Sequence, residues 1–146
     1  MHIPRALAVA IGLSLGASVA GAEPACPNRV VEAAKKAVPD AALAKCVAKK
    51  SGAGFEAVLR RKDKSLVEVV ISGKGELEEM EEVVPISTIP PAVAKAFAAR
   101  YPKATIAKAE KITKADKRVE FELAFKLGEA KKEATFKADG TFVEEE

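Results

Sequence analysis

The segment VEFELAFKL, residues 119–127, decides the fold of this chain. Every second residue from Val119 to Leu127 is large and apolar, and the residues between them are charged except for Ala124. Successive side chains of a β-strand point to opposite faces of the sheet, so this alternation predicts one buried face and one solvated face. Such a pattern is typical of an antiparallel sheet that is covered on one side only.

The residues around this segment predict one helix and four strands between Ile89 and the C terminus. Pro90 and Pro91 suit the first turn of a helix, where a missing N–H does no harm, and Pro102 ends it. Asp139-Gly140 strongly predicts a hairpin between the last two strands. The predicted strands are residues 104–112, 118–127, 130–138 and 141 onward.

The first half of the chain repeats this order of elements. Its predicted elements are a helix over residues 28–38 and strands over residues 41–48, 55–61, 66–71 and 76–84. The two halves also align residue by residue, as in Val30 with Val93, Leu43 with Ile106 and Gly75 with Gly140. Self-similarity of this kind predicts a duplicated unit.

The predicted fold class is therefore α+β, with two tandem repeats of a helix plus an antiparallel sheet. Both helices are expected to pack on one face of a curved sheet, which leaves the other face open to water. The predicted boundaries are repeat 1 at residues 23–84, a linker at 85–88 and repeat 2 at 89–146.

The N terminus has the layout of a secretory signal peptide, residues 1–22. Arg5 precedes an apolar run over residues 6–20, and cleavage is expected after Ala22 in the small-residue triplet Ala20-Gly21-Ala22. The run falls short of the ~20 residues of a stable membrane-spanning helix, so a retained anchor is the less favoured alternative. We therefore expect a periplasmic or secreted protein with no stable membrane anchor after cleavage.

The charge of the chain is close to balanced. It carries 24 Lys and Arg residues against 21 Asp and Glu residues, a net charge of +3. Because this weak excess is dispersed along the sequence, composition favours neither a nucleic acid nor an anionic membrane as a partner.

Both cysteines, Cys26 and Cys46, follow the predicted cleavage site. In an oxidising compartment an even count favours a disulfide. The predicted helix rises ~15 Å and the following strand returns over ~17 Å, which brings the two sulfurs together near the start of the helix. The alternative, a redox-active pair, is disfavoured because the spacing is not Cys-x-x-Cys.

The sequence offers little for catalysis. The one histidine, His2, belongs to the predicted signal peptide, so no imidazole remains as a base, nucleophile partner or metal ligand. The glycine-rich segments 51–54 and 73–75 are better interpreted as turns than as phosphate-binding loops. No enzymatic activity, cofactor or metal site is predicted, although the acidic strand ends leave calcium binding as an alternative hypothesis.

The second half resembles the PepSY-like family of exported bacterial proteins, which is described as similar to beta-lactamase inhibitor protein. The resemblance rests on segments IPPAV (89–93), YPKA (101–104), VEFEL (119–123) and FKADG (136–140), and on Phe97. It implies two tandem PepSY-like repeats, and a concave sheet face that an inhibitor-like protein presents to its target.

Charged residues on the predicted solvated face are the candidate protein-binding residues. They are Glu56, Arg60, Arg118, Glu120, Glu122, Lys126, Lys131, Glu133 and Lys137. One hypothesis is an inhibitor-like or sensory binding protein that docks an envelope protein or a peptide on this face. The alternatives are a periplasmic small-ligand or calcium-binding protein, and a solvated face whose charges only pair with one another across strands.

Overall fold

The computed structural model describes residues 26–146, so the predicted signal peptide lies outside the described residues. Helix α1 (Asn28–Ala37) is followed by strands β1 (Ala42–Ala48), β2 (Phe55–Arg60), β3 (Leu66–Ile71) and β4 (Leu77–Val84). A short 3-10 turn, Ile86–Thr88, occupies the predicted linker. Helix α2 (Pro91–Arg100) and strands β5 (Thr105–Lys114), β6 (Val119–Leu127), β7 (Ala130–Lys137) and β8 (Phe142–Glu145) complete the described chain.

The strands of residues 26–146 form one eight-stranded antiparallel sheet, in which each strand pairs with its neighbours in the sequence. The pairing of β4 with β5, from Glu79 opposite Lys114 to Val84 opposite Ala109, joins the two halves into a continuous layer. The predicted α+β class and antiparallel sheet are confirmed. Strand β3 has its predicted bounds, whereas β5 runs two residues further than predicted, to Lys114.

Each helix buries a stripe of residues spaced four apart. In α1 the stripe begins with Val30 and Ala34, and in α2 it consists of Val93 and Phe97. Each stripe continues into the buried residue that caps the helix, which is Val38 for α1 and Tyr101 for α2. Each capping residue donates its backbone N–H to the carbonyl four residues earlier, and each is followed by a proline. Spacing of four residues brings side chains to one side of a helix, so each helix presents one apolar stripe to the sheet.

The helices cover the same face of the sheet over two separate apolar cores. The core beneath α1 contains Cys46, Ala57, Leu59, Val67, Val69 and Ile71. The core beneath α2 contains Ala109, Phe121, Leu123, Phe125, Ala134 and Phe136. The second core is the more aromatic, with the Phe97 ring edge-on to Phe125 at a centroid distance of 5.0 Å.

The alternation in β6 predicted its core residues correctly in the middle of the strand but not at its end. Phe121, Leu123 and Phe125 are buried, whereas Leu127 is 39% exposed. Leu127 pairs with Ala130 at the hairpin end, and a methyl group is too small to cover a leucine side chain.

Two hairpin turns pack against the first turns of the helices. Gly75, in the β3–β4 turn, lies against the backbone of Arg29 in α1, and a Cβ on Gly75 would be 3.3 Å from the Arg29 carbonyl oxygen. Gly140, in the β7–β8 turn, lies closer still to Ala92 in α2. Arg29 Nε also donates to the Gly73 carbonyl at 2.6 Å. These contacts fix each helix to the sheet at its N-terminal end.

Strand β8 is held by side chains from α2 and β7. The Tyr101 hydroxyl donates to one carboxylate oxygen of Glu145, and Lys132 Nζ donates to the other. The Arg100 guanidinium lies over the Phe142 ring, 3.7 Å from its centroid. These side chains add to the backbone pairing of β8 with β7.

Candidate functional site: the open face of the sheet

The open face is the side of the sheet opposite both helices. Because side chains alternate along each strand, it consists of the residues between those that form the two cores. From β1 to β4 it contains Lys45, Val47, Glu56, Val58, Arg60, Leu66, Glu68, Val70, Glu79, Glu81 and Val83. From β5 to β8 it contains Lys108, Glu110, Ile112, Lys114, Glu120, Glu122, Ala124, Lys126, Lys131, Glu133, Thr135, Lys137 and Glu144.

Several residues in the middle of the open face are buried although neither described helix packs there. Ile112 is only 1% exposed, and Val70 and Thr135 are buried as well. The two described helices therefore do not account for the burial of these three residues.

Eight of the nine candidate binding residues lie on the open face. Glu56 and Arg60 are on β2, and the other six lie on the β6–β7 pair. Arg118 instead lies in the β5–β6 turn, where its Nε is 2.6 Å from the Asp116 carboxylate. This exposed pair stabilises the turn, so Arg118 stands apart from the other candidates.

The β6–β7 register shows how far the charges on these two strands pair with one another. Glu120 lies opposite Lys137, but Lys126 lies opposite Lys131 and Glu122 lies opposite Thr135. Opposite charges facing one another across an antiparallel pair are stabilising, and like charges are destabilising. Directly opposed pairs of unlike charge therefore account for only part of the charge pattern on these two strands.

Glu120 differs from the other candidate residues in its exposure. It is 6% exposed, and its carboxylate is 3.5 Å from Lys114 Nζ. Lys114 Nζ also lies 2.9 Å from Glu79, so one lysine on β5 links carboxylates on β4 and β6. These three residues form a supporting network within the face, whereas Lys126, Lys131 and Lys137 are exposed.

Sequence reasoning missed the acidic residues at the centre of the open face. Glu68, Glu81 and Glu110 belong to it, and Lys108 Nζ lies 2.9 Å from Glu110 on the same strand. The run LEEMEEVV of β4 conceals its alternation, because both faces of that strand carry glutamates. Met80 marks the core side and would have assigned Glu79 and Glu81 to the opposite face.

The centre of the open face disfavours further negative charge. Burial chiefly raises the pKa of the Glu68 carboxyl above its ordinary value, and the nearby Glu56 and Glu110 raise it further. Lys108 and Lys45 act in the opposite direction.

The same effect extends to β7. Burial raises the pKa of Glu133, and Glu110 also raises it, while Lys108 lowers it. Carboxyls on β3 and on β7 therefore both respond to the Lys108–Glu110 pair on β5.

Cys26 and Cys46 form the predicted disulfide, with their Cα atoms 5.9 Å apart. Cys46 belongs to the core beneath α1, so the bond fastens the segment that leads into α1 to the edge strand β1. A cross-link of this kind stabilises the fold by constraining the unfolded chain. This disulfide lies on the helix side of the sheet, away from the open face.

The alternative hypotheses of a small-ligand or a metal site concern the acidic residues and the glycine-rich turns. Within residues 26–146, no group of three or more His, Cys, Asp or Glu side chains is placed to hold a metal ion. The glycine-rich segments are turns, as predicted, and together they line a shallow open depression with Glu76 and Glu78. No helix within the same residues is long and apolar enough to cross a membrane.

The architecture defines a class: an α+β protein with two helices on one side of an open, eight-stranded antiparallel sheet. Solved structures of this fold include a BLIP-like protein from Bacteroides fragilis (TM-score 0.66, 23% identity, 86% of this chain and 87% of that chain). They also include a DUF2874 family protein from Bacteroides uniformis (TM-score 0.69, 18% identity, 83% and 88%) and a proposed periplasmic protein from Bacteroides eggerthii (TM-score 0.68, 18% identity, 82% and 87%). No sequence-family profile and no curated protein sequence matches the chain.

Proposed function

We propose that this chain is a non-catalytic exported binding protein, possessing an inhibitor-like sheet surface that docks a protein or peptide. The open face carries the proposal, because both helices lie on the other side and its centre combines apolar residues with charged ones. A continuous hydrogen-bonded sheet holds the side chains of this face in place before a partner arrives, which lowers the entropic cost of binding.

An exported location is part of the proposal. The Cys26–Cys46 disulfide suits an oxidising compartment such as the bacterial periplasm. The layout of residues 1–22 is that of a secretory signal peptide, and one protein of the same fold is described as a proposed periplasmic protein.

Two tandem PepSY-like repeats are also part of the proposal. Each half has the order helix and four strands. Irregularities of strand pairing recur at equivalent places: Leu43/Lys45 matches Ile106/Lys108, and Val70/Ile71 matches Thr135/Phe136. The contact of Gly75 with α1 likewise matches that of Gly140 with α2. Such features depend on backbone geometry, so their recurrence supports duplication more strongly than the weak sequence identity of the halves.

A bulky substitution on the open face tests the docking proposal without assuming the charge of the partner. Ala124 is half-buried between Lys108 and Glu133, so Ala124→Arg would obstruct the surface. Ala99→Arg on the exposed side of α2 is the matched control.

Both variants would be immobilised and used to capture proteins from an envelope extract of the source bacterium. The expected result is a partner retained by the wild-type chain and by Ala99→Arg but lost from Ala124→Arg. Equal capture by both variants would contradict docking on this face.

A small-ligand or calcium-binding role is the second candidate, favoured by the depression between the segments 52–54 and 72–74. Glu76 and Glu78 supply carboxylates beside it. Thermal unfolding with and without millimolar CaCl₂ tests the calcium hypothesis, because a ligand that binds only the folded state raises Tm. An unchanged Tm would contradict it.

A further inference from the structure

Strand β1 forms one outer edge of the sheet. It has seven residues, whereas β8 at the opposite edge has four. No strand within residues 26–146 lies beyond β1, so one side of its backbone has no ladder partner among the described strands. An edge of this kind is a template on which a strand from another chain can pair.

The alternation of the backbone identifies the groups that point outward from β1. The Lys49 N–H donates to the Gly54 carbonyl at 3.0 Å, so Lys49 directs its backbone groups toward β2. Successive residues of an antiparallel strand direct their N–H and C=O groups to opposite sides, and the register is regular from Lys45 to Ala48. Cys46 and Ala48 therefore direct their N–H and C=O groups away from β2, to the outer edge.

The surroundings of this edge are basic. Residues 41–54, which contain β1 and the turn to β2, carry three lysines and no carboxylate. These lysines are Lys45, Lys49 and Lys50, and none of them forms an ion pair with another described residue. One carboxylate, Asp40, precedes the segment, and β2 carries one glutamate and one arginine, so the excess of positive charge remains. The edge therefore favours a partner strand with negative charge.

We propose that the outer edge of β1 binds an extended acidic segment of a partner protein, which joins the sheet as a further strand. The backbone groups of Cys46 and Ala48 pair with the main chain of the segment, and the three lysines attract its carboxylates. Main-chain pairing supplies affinity in this mode of recognition, and side chains supply specificity. A second copy of the chain is a poor occupant, because pairing of two β1 strands would bring their lysines together.

This site is separate from the docking surface proposed above. The open face is a face of the sheet, whereas the new site consists of backbone groups along one edge. Ala124, the residue chosen to obstruct the open face, lies on β6, and four strands separate β6 from β1. The inference therefore goes beyond the proposed function and can fail or succeed independently of it.

Fluorescence anisotropy with three labelled octapeptides tests the proposal on the disulfide-bonded chain that begins at Glu23. The probe has four Glu-Val repeats. One comparison peptide has four Glu-Pro repeats, which keep the charge but lack half of the N–H groups, and the other has four Lys-Val repeats. We expect the Glu-Val peptide to bind most tightly, the Glu-Pro peptide to bind at least about tenfold more weakly, and the Lys-Val peptide not to bind.

Substitutions at Ala48 test whether the backbone of β1 forms the site. Ala48→Pro removes an outward N–H but no ladder hydrogen bond to β2, as is tolerated on an edge strand. Ala48→Val keeps the N–H and adds bulk, so it is the matched control. We expect about a tenfold loss of affinity for the Glu-Val peptide in Ala48→Pro, equal to about 1.4 kcal/mol, and less than about a twofold change in Ala48→Val.

A pair of double variants tests the charge without altering the backbone. Lys45→Gln/Lys50→Gln removes two charges beside the edge, whereas Lys95→Gln/Lys103→Gln removes two from α2 and the turn after it; all four lysines are exposed. We expect about a fivefold loss of affinity for the Glu-Val peptide in the first variant and less than about a twofold change in the second. This comparison decides the matter even if Ala48→Pro does not fold.

Three outcomes would overturn the inference: equal binding of the Glu-Val and Glu-Pro peptides, equal binding of the Glu-Val and Lys-Val peptides, or equal weakening by the two double lysine variants. A dimer that dissociates in Ala48→Pro would also overturn it, because a second copy would then occupy the edge. Ala124→Arg should bind the Glu-Val peptide as the wild-type chain does, and loss of binding there would move the peptide to the open face. Failure of the capture experiment alone contradicts only docking on the open face.

Discussion

The contact of the β7–β8 turn with α2 predicts a strong and specific effect of Gly140→Ala. Gly140 has φ of +89°, and an added Cβ would lie 2.7 Å from the Ala92 carbonyl oxygen and 3.1 Å from its carbonyl carbon. Both neighbouring atoms are backbone, so relief requires the hairpin or the helix to move. The left-handed conformation costs a non-glycine residue about 1–2 kcal/mol, and overpacking costs about 1–3 kcal/mol more.

The expected loss is therefore about 2–5 kcal/mol, a large part of the stability of an ordinary domain. The control is Gly128→Ala, because Gly128 has φ of +62° but no atom within 4 Å of an added Cβ. It should lose only the conformational cost of about 1–2 kcal/mol. Gly75→Ala, with its nearest contact at 3.3 Å, should fall between the two.

Urea unfolding followed by circular dichroism measures the three free energies of unfolding. The expected order of destabilisation is Gly140→Ala, then Gly75→Ala, then Gly128→Ala. Equal losses for Gly140→Ala and Gly128→Ala would refute the inference that this turn is fixed against α2.

Three further predictions concern electrostatics, a cross-link and the edge strand. Glu68→Gln should raise the free energy of unfolding at pH 7 by on the order of 0.2–1 kcal/mol, because burial and the nearby Glu56 and Glu110 disfavour the charge of this carboxyl. These effects raise the pKa of Glu68 in the folded state, so the unfavourable contribution of its charge develops as pH rises through that pKa. The gain should vanish below about pH 4, as urea unfolding at both pH values would show. Reducing the Cys26–Cys46 disulfide should cost about 3 kcal/mol in the chain-entropy model, measured by unfolding with and without reductant. Tyr101→Phe should cost about 0.5–1.5 kcal/mol and speed amide hydrogen exchange in β8, because Glu145 loses the hydrogen bond from the residue that caps α2.

Each of these predictions has an outcome that would contradict it. A gain from Glu68→Gln that is as large at pH 4 as at pH 7 would show that the charge of this carboxyl is not the cause. An unchanged midpoint on reduction would mean that the disulfide adds nothing to stability. Unaltered exchange in β8 after Tyr101→Phe would show that the strand is held by other contacts.

Local patterns predicted the elements of this fold well. The alternation of residues 119–127 identified Phe121, Leu123 and Phe125 as core residues, and Pro91 and Pro102 bracket α2. Helical and strand periods, together with proline and glycine positions, act over a few residues and can therefore be recognised without tertiary contacts. The predicted pairing of Cys26 with Cys46 is also confirmed. It could be predicted because only 20 residues, along one helix and one strand, separate the two cysteines.

The candidate site was predicted less completely. The sequence identified residues that alternate with the core of β6 and β7, but it did not identify Glu68, Glu81 or Glu110 as their neighbours across the sheet. Strand register decides which side chains oppose one another, and the register of each pair depends on bulges and turn geometry that composition alone does not specify.

By itself, the sequence determined that this chain forms helices and amphipathic strands with a disulfide near the start, because those features follow from local periods and short separations. Only the tertiary structure decided that Glu120 and Ile112 are buried on the side without helices and that Val83 is exposed. The order and register of the strands underlie this difference, since they decide which side chains lie beside one another on a face. They involve all eight strands together, and no single segment encodes them.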